Sequence, residues 1–233
     1  MITERIASQF EGRWLRGYAR GKLRGDPVFA TAFDLLKNSP LPVLDVGCGV
    51  GLFSFYLRER GFGAPLAGID FDAAKIAKAR AISSRAYRDI AFSVDDAFTP
   101  ANFRGHIVLF DVLHYLPAAR QRPLLERLAD LVAPGALCLV RATPRDDSWR
   151  FRATQIEELL LRASLWMKSK ARHYGSIDDI VAPFRERGFD CEMRPLWGCT
   201  PFNSHFFVFR APEAAPLAGN GNLVMNGSAA TAP

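Results

Sequence analysis

A short apolar strand that leads into a glycine-rich turn constrains the fold of this chain more than any other feature. Residues 43–46, VLDV, predict a buried strand, residues 47–51, GCGVG, predict a turn, and residues 52–60 predict an amphipathic helix. Glycine has no Cβ and adopts positive φ, so the backbone of such a turn can approach a bound ligand closely. The acidic Asp45 at the strand end disfavours a phosphate and suits a ligand with hydroxyl and ammonium groups.

Strand-like and helix-like segments alternate on both sides of this turn. The predicted strands are residues 42–46, 64–70, 90–94, 106–110, 136–141, 189–195 and 205–210, and the helices among the first five are residues 52–60, 73–83 and 120–132. This order predicts a parallel sheet with helices on both faces and right-handed crossovers. The last two strands are predicted to form an antiparallel edge hairpin. The predicted fold class is therefore α/β, with a doubly wound, mostly parallel, seven-stranded sheet.

Segments at both ends of the chain complete the predicted domain organisation. Residues 1–24 predict an amphipathic helix, and residues 1–39 as a whole are predicted to form a helical N-terminal lid. Residues 148–176 form an aromatic and basic insertion, predicted to be helical and to shape an acceptor site. Residues 211–233 are rich in Ala, Gly, Asn and Pro and cannot bury enough apolar surface to offset the entropy of ordering, so they predict a disordered tail. One domain is expected over residues 1–210.

Charge and cysteine content limit the compartment and the partners. The formal net charge is +6, and basic residues cluster at 13–24 and 162–172. Such a face suits an acidic carrier protein or an anionic membrane surface, although a solvated arginine-rich surface is the simpler alternative. None of the four cysteines forms a C-x-x-C pair, so no metal site is predicted. No apolar run approaches the roughly 20 residues that span a bilayer, and a cytoplasmic location is expected.

Acidic residues stand where three neighbouring predicted strands end, at Asp45, Asp70 and Asp96. In open α/β sheets, ligands bind outside the carboxyl ends of the strands. The three carboxylates are therefore predicted to converge on one crevice beside the glycine turn.

Four motifs in register give residues 40–142 a resemblance to class I S-adenosylmethionine-dependent methyltransferases of the small-molecule type. The motifs are residues 44–51 (LDVGCGVG), 68–72 (GIDFD), 95–97 (DDA) and 111–117 (DVLHYLP). The whole chain is also loosely similar to methyltransferases of pigment, polyketide and quinone-type pathways. The resemblance implies a Rossmann-like methyltransferase fold, S-adenosyl-L-methionine as the cofactor, S-adenosyl-L-homocysteine as the product, and no metal.

The resemblance also implies which residues bind the cofactor. The turn residues Gly47, Cys48 and Gly49 would pass close to its amino-acid portion, and Asp45 would help to hold its ammonium group, directly or through water. Asp70 would accept hydrogen bonds from both ribose hydroxyls, because a carboxylate is purely an acceptor.

Further along the chain, the implied contacts move from the adenine to the methyl group. Phe71 would pack on the adenine, Asp96 would accept a hydrogen bond from its amino group, and the Ala97 N–H would donate to the ring. Phe110 and Asp111 would lie near the transferable methyl group, with a helix cap as the alternative for Asp111.

Residues of the predicted lid are further candidates for cofactor contacts. The family often covers the cofactor with this region, which would place Tyr18 and Arg20 over it. Either Arg20 or Lys22 would then pair with the methionine carboxylate.

Three residues are candidates for the reacting end of the site. His114 follows the fourth strand and is the candidate general base, with packing or helix capping as the alternative. His173 and Tyr174 lie in the insertion that shapes the acceptor pocket, whereas His205 in the last strand is predicted to be structural. Because the cofactor is already electrophilic, we expect alignment to drive SN2 transfer to a small, hydrophobic or aromatic acceptor, free or bound to a carrier.

Two other functions remain open from the sequence. A nicotinamide-dependent Rossmann oxidoreductase needs G-x-G-x-x-G, whereas residues 47–52 place the third glycine one residue early. A non-catalytic binding module with the methyltransferase fold would recruit a partner through the basic helices, and the intact cofactor motifs disfavour it. Nucleic acid is a disfavoured partner, because the chain lacks the N-P-P-Y, D-P-P-Y and Pro-Cys motifs of DNA methyltransferases.

Overall fold

The sheet has the predicted architecture. The computed structural model describes residues 1–98, 102–163, 173–198 and 200–213. Its strands are β1 (Val43–Val46), β2 (Leu66–Asp70), β3 (Ile90–Val94), β4 (His106–Phe110), β5 (Leu137–Ala142), β6 (Asp190–Pro195) and β7 (His205–Arg210). Their order across the sheet is β3-β2-β1-β4-β5-β7-β6. The strands β1 to β5 pair in parallel, and β7 pairs antiparallel with both β5 and β6, which confirms the predicted fold class.

Helices cover both faces of this sheet. They are α1 (Ile2–Ser8), α2 (Arg13–Gly25), α3 (Val28–Leu36), α4 (Leu52–Glu59), α5 (Ala73–Ala86), α6 (Ala118–Leu131), α7 (Trp149–Ala163) and α8 (Ile177–Arg185), with a short 3₁₀ turn at Leu113–Tyr115. Successive strand residues face opposite sides, so Val43 packs in the core beneath α1 to α5 and Leu44 packs in the core beneath α6 and α8. The strands β1 and β5 are buried at every residue and are apolar except for Asp45 and Arg141, because both faces of the sheet are covered.

The structure corrects two predicted boundaries. The single helix predicted over residues 1–24 is broken into α1 and α2, because Gly12 adopts φ +79° immediately before α2. Residues 211 and 212 were predicted to belong to a disordered tail, but the Ala211 N–H donates to the Ala136 carbonyl and the Pro212 carbonyl accepts from the Gly135 N–H. Residues 214–233 of that predicted tail, and residues 164–172 of the predicted insertion, lie outside the described residues. Among the described helices, none is both long and apolar enough to cross a bilayer.

A buried histidine links the amino end of β4 to its surroundings. The His106 Nδ1 accepts a hydrogen bond from the Leu137 N–H at 2.9 Å, so the proton resides on Nε2, which lies 2.6 Å from the Ser39 Oγ. Burial lowers the pKa of His106 to about 4. This histidine is therefore a neutral structural residue, remote from the carboxyl ends of the strands.

Acid should remove the stabilisation that His106 provides. Between pH 6.5 and about 4 the unfolded chain takes up a proton at this residue and the folded protein does not, so the free energy of unfolding falls as the pH falls. We expect the stability advantage of the natural protein over His106→Gln to shrink by about 3 kcal/mol across this range. Urea unfolding of both proteins at several pH values measures the difference, and an advantage that does not change with pH would contradict the assignment.

Candidate functional site

The glycine turn offers one open side to a ligand. Gly47 and Gly49 both have positive φ, at +75° and +57°. A Cβ on Gly47 would lie 2.3 Å from the Cγ2 of Val112, whereas a Cβ on Gly49 would meet nothing within 4 Å. Gly47 is therefore constrained by protein packing, and Gly49 is the position where a ligand can approach the backbone.

The side chain of Cys48 points into the protein and not toward this open side. A Cβ on Gly68 of β2 would lie 2.9 Å from the Cys48 Sγ, so the thiol packs directly against the neighbouring strand. Burial also raises the pKa of the Cys48 thiol. Any contact of Cys48 with a ligand is thus made by its backbone, and the thiol is no nucleophile.

Asp70 joins the end of β2 to the glycine turn. Its Oδ2 accepts from the Gly49 N–H at 2.9 Å, and its Oδ1 accepts from the Asp72 N–H at 2.8 Å. A carboxylate has about four lone-pair sites, so each oxygen can still accept a bond from a ligand hydroxyl. The next residue, Phe71, is 73% exposed. The end of β2 therefore carries a carboxylate held by two hydrogen bonds and, at the next residue, an exposed aromatic ring.

Asp45 is a buried acid in an unfavourable environment. It is only 4% exposed, and none of the ion pairs among the described residues includes it. Burial and the nearby Asp70 carboxylate raise the pKa of Asp45 to about 8. A ligand cation at this position would relieve the repulsion and return the group to its ionised form.

Asp96 and Ala97 follow β3 at the adjacent position along the sheet edge. The Asp96 Oδ1 accepts from the Phe98 N–H at 3.1 Å, and its Oδ2 lies 3.3 Å from the Arg120 Nη2. The Arg120 guanidinium also stacks over the Phe98 ring, 4.4 Å from its centroid. Ala97 packs against the core on the α6 side. Asp96, which is predicted to accept a hydrogen bond from the adenine amino group, therefore also pairs with Arg120, a residue that the sequence analysis did not identify.

The two predicted residues at the end of β4 have different surroundings. The Phe110 ring packs edge-on against Phe53, with centroids 5.1 Å apart. Asp111 has φ +59°, which a non-glycine residue seldom adopts, and its carboxylate is held by both Nε and Nη2 of Arg141. The alternative role predicted for Asp111 is wrong, because its side chain caps no helix and Arg141 occupies the carboxylate instead.

Asp111 belongs to an ion cluster that we call the Arg141 network, formed by Lys22, Asp26, Asp111 and Arg141. The Arg141 Nη1 binds Asp26, and the Lys22 Nζ lies 3.1 Å from Asp26 and 3.8 Å from Asp111. Burial opposes ionisation of both acids, but Arg141 and Lys22 overcome it and hold their pKa values below the ordinary range. The network fastens the junction of α2 and α3 to the ends of β4 and β5.

The predicted lid residues are not equally placed to reach a ligand. The Arg20 Nε donates to both carboxylate oxygens of Glu4 at 2.9 Å, so the Arg20 guanidinium is paired with a residue of α1. Lys22, the other candidate for a ligand carboxylate, reaches the carboxyl end of the sheet through Asp111. Tyr18 stacks on Trp14, with centroids 5.8 Å apart, and both rings are partly exposed.

The structure brings the three predicted catalytic residues together. The rings of His114 and Tyr174 stack with centroids 5.7 Å apart and an angle of 16°. Phe151 meets the edge of Tyr174 at 5.3 Å, and the His173 N–H donates to the His114 carbonyl at 3.3 Å. His114, Tyr174 and Phe151 thus form an aromatic wall where the turn after β4 meets the segment before α8.

A small cavity of about 10 Å³ adjoins this wall, which is room for about one water molecule. Besides His114, His173 and Tyr174, it is lined by Leu113, Ala142, Thr143 and Ile180. The buried amide of Gln121, which sequence reasoning missed, donates to the carbonyls of Leu113 and His173 at 3.0 and 2.9 Å. Gln121 therefore fixes the two sides of the cavity to each other. Within the described part of the chain, no three His, Cys, Asp or Glu side chains are placed to hold a metal ion.

Solved structures of methyltransferases share this fold. Magnesium protoporphyrin IX methyltransferase from Synechocystis PCC 6803 with bound SAM is 16% identical over 90% of this chain and 89% of that chain, with a TM-score of 0.62. The same enzyme with bound SAH is 19% identical over 89% and 91%, with a TM-score of 0.64. The pyocyanin biosynthetic protein PhzM is 16% identical over 90% of this chain and 61% of that chain, with a TM-score of 0.64.

Identities this low show a shared fold but not membership of a family, and a match to a protein family shows that membership. The family model described as a methyltransferase domain matches residues 16–193, which is well over half of the chain. The match spans the glycine turn, all three acidic strand ends and the His114 cavity. The chain therefore belongs to the methyltransferase domain family.

Proposed function

We propose that this methyltransferase transfers the methyl group of S-adenosyl-L-methionine to a small hydrophobic or aromatic acceptor. The observation that carries the proposal is the open side of Gly49 beside the buried acids Asp45 and Asp70. The binding of SAM and SAH by magnesium protoporphyrin IX methyltransferase, which shares the fold, supports this choice of cofactor.

The residues around the turn match the cofactor group by group. Asp45, whose pKa burial and Asp70 raise to about 8, suits the ammonium group. The unused lone pairs of Asp70 suit the two ribose hydroxyls, and the exposed ring of Phe71 suits the adenine. The bound cofactor would supply a sulfonium-activated methyl group.

The residues of the chain would align the cofactor with the acceptor and would provide a base that accepts a proton. The Arg141 network fixes Asp111, and the turn that follows carries Val112 against Gly47 and His114 against Tyr174. One rigid segment thus positions both the cofactor turn and the acceptor wall, and such alignment can supply up to about 7–11 kcal/mol of the barrier. A neutral imidazole at His114 would accept the proton that a hydroxyl or ammonium acceptor loses during methyl transfer. An acceptor atom that is nucleophilic without losing a proton would not require this step.

The aromatic wall supports a flat acceptor. The partly exposed rings of His114 and Tyr174 favour stacking with an aromatic or conjugated molecule, and Phe151, which is buried, packs against Tyr174 within the protein. Delivery of that acceptor by an acidic carrier protein or at a membrane surface remains a prediction, as does a cytoplasmic location. The basic face of α2 carries less unpaired charge than its sequence implies, because Arg20 and Arg24 both pair with Glu4.

Calorimetry tests the cofactor assignment directly. We expect saturable one-to-one binding of S-adenosylhomocysteine and no binding of NAD, which separates the methyltransferase from the oxidoreductase. Folded protein that binds neither molecule would contradict the proposal. The non-catalytic alternative predicts binding without transfer of label from methyl-labelled S-adenosylmethionine to any phenol, amine or thiol offered.

Phe71→Ala should weaken cofactor binding without altering the fold. The ring is exposed in the free protein and would be covered by the adenine, so its loss removes about 1–2 kcal/mol of binding, about five- to thirtyfold in the Kd of S-adenosylhomocysteine. The melting temperature of the free protein should stay unchanged. Met193→Ala is the matched control, because Met193 is also exposed but lies on β6 at the opposite edge of the sheet. Equal affinities for the two variants would contradict the adenine assignment.

A further inference from the structure

Arg120 carries a charge that does not suit its place on α6. It is the third residue of that helix, where the unpaired N–H groups of the first turn favour acidic side chains and disfavour cations. The first turn of α6 contains no acidic residue, and the N-cap Pro117 makes no side-chain hydrogen bond to it. The stability of the helix therefore does not explain an arginine at this position.

The contacts of the Arg120 side chain go to the loop after β3. Its Nη2 lies 3.3 Å from the Asp96 Oδ2, and its Cζ lies 4.4 Å from the centroid of the Phe98 ring. The loop thus holds the guanidinium both by charge and by stacking. A planar guanidinium can make these two contacts at once, whereas a lysine ammonium in its place offers no flat face to stack.

These contacts fix the orientation of the Asp96 carboxylate. Its Oδ1 accepts from the Phe98 N–H at 3.1 Å, and its Oδ2 accepts from Arg120. A single hydrogen bond would leave the carboxylate free to turn about that bond, and the second contact fixes its plane. Each oxygen has two lone pairs, so both can accept one further bond in a direction that Arg120 determines.

The loop that carries Asp96 is joined to the predicted ribose end of the cofactor site. Asp70 lies opposite Val94 in the parallel pairing of β2 with β3, and the Asp70 carbonyl accepts from the Asp95 N–H at 3.2 Å. Asp96 is the next residue along the chain. In S-adenosyl-L-methionine the adenine is attached to the ribose, so a base that extends from Asp70 towards β3 reaches this loop.

An acceptor with a fixed direction distinguishes adenine from hypoxanthine. The exocyclic amino group of adenine donates a hydrogen bond, whereas hypoxanthine has a carbonyl oxygen at the same position, which only accepts. A fixed carboxylate binds the amino group and repels the carbonyl oxygen. A carboxylate that is free to turn avoids the repulsion and binds the amino group less well, so it discriminates less.

We propose that Arg120 is a positioning residue of the cofactor site, which holds the Asp96 carboxylate towards the adenine amino group and so gives the protein its preference for adenine over hypoxanthine. Arg120 acts through Asp96 and does not contact the base. This inference rests on the proposed function, because the adenine belongs to the S-adenosyl-L-methionine of that same site.

S-adenosylhomocysteine and S-inosylhomocysteine are the probes, because they differ only in the base. Calorimetry on the full chain should show that the natural protein binds the adenine compound about tenfold or more tightly than the hypoxanthine compound. Arg120→Met removes the cation and keeps an unbranched stem over Phe98. We expect this variant to bind S-adenosylhomocysteine about three- to tenfold more weakly, and S-inosylhomocysteine no more weakly than the natural protein does.

Arg122→Met is the matched control. Arg122 lies two residues further along α6, and its side chain is 50% exposed, as that of Arg120 is. Its partners are Glu126 on the same helix and Glu186 at the end of α8. We expect this variant to bind both compounds as the natural protein does. Exposed ion pairs contribute little to stability, so both variants should keep the melting temperature of the natural protein.

Asp96→Ala tests whether Arg120 acts through Asp96. The preference for adenine should be lost in this variant, and adding Arg120→Met to it should change the affinity for S-adenosylhomocysteine less than about twofold. If Arg120→Met weakens binding equally with and without the Asp96 carboxylate, the guanidinium contacts the base itself and the inference is wrong. An equal loss of affinity for both compounds in Arg120→Met would overturn it as well.

The outcomes separate this inference from the proposed function. Natural protein that is folded and binds neither compound contradicts the proposed function. If the natural protein binds S-adenosylhomocysteine, and Arg120→Met leaves its preference for adenine unchanged, only the role of Arg120 is contradicted.

Discussion

Replacing Arg141 with methionine should lower the free energy of unfolding by about 3–5 kcal/mol. The side chains of Arg141 and Asp26 are 9% and 10% exposed, so their pairing is shielded from water. Without the guanidinium, Asp26 and Asp111 would lose their principal partner and remain close to each other. Burial would then raise the pKa of both acids, where Arg141 and Lys22 now hold it low. The uncompensated charge, more than lost packing, is the reason for the large effect.

A triple variant distinguishes this explanation from a simple loss of contacts. Arg141→Met combined with Asp26→Asn and Asp111→Asn removes the guanidinium and both acid charges together, of which Asp26 is buried and Asp111 is partly exposed. Asparagine also tolerates the left-handed conformation of residue 111. We expect the triple variant to be more stable than Arg141→Met alone and to recover about half of the loss. Urea unfolding of the three proteins at pH 7 measures the difference. A triple variant less stable than the single one would show that the charges are not the cause.

The part of the site that could be predicted from the sequence is the part that depends on local chain geometry. The turn after β1 needs glycine at residues 47 and 49 for its φ values, and the acids Asp45 and Asp70 stand at strand ends that a parallel sheet must bring to one edge. The doubly wound, mostly parallel topology follows from the same alternation of strands and helices. These features were therefore predictable without knowledge of any tertiary contact.

Contacts between distant segments could not be predicted in this way. Arg141 and Asp26 are 115 positions apart, and nothing in the pattern around either residue indicates its partner. The same holds for Arg120 beside Asp96. Arg20 was assigned to a ligand because the family often covers the cofactor with this region, whereas the structure pairs it with Glu4 of α1, on the other side of the break at Gly12. Side-chain pairing depends on packing, which a single sequence does not display.

Binding of S-adenosylhomocysteine should release about one proton at pH 7, and that proton should come from Asp45. Since burial and Asp70 raise its pKa to about 8, about nine-tenths of the free protein carries a protonated Asp45 at this pH. The ligand ammonium favours the carboxylate and drives the proton off. Affinity should therefore rise up to about tenfold per pH unit from pH 6 towards pH 8. Calorimetry in phosphate and in Tris, which differ in ionisation enthalpy, measures the released proton.

Asp45→Asn should abolish the proton release and weaken binding by about 3–5 kcal/mol, or about two to four orders of magnitude, because the buried ammonium would lose its counter-charge. Its remaining affinity should no longer rise with pH. Asp34→Asn is the control, since Asp34 is an acid on α3 with a 60% exposed side chain, and both effects should be absent there. An enthalpy that is the same in both buffers for the natural protein would mean that Asp45 is already ionised before the ligand arrives. Unchanged affinity in Asp45→Asn would show that the ammonium is held elsewhere.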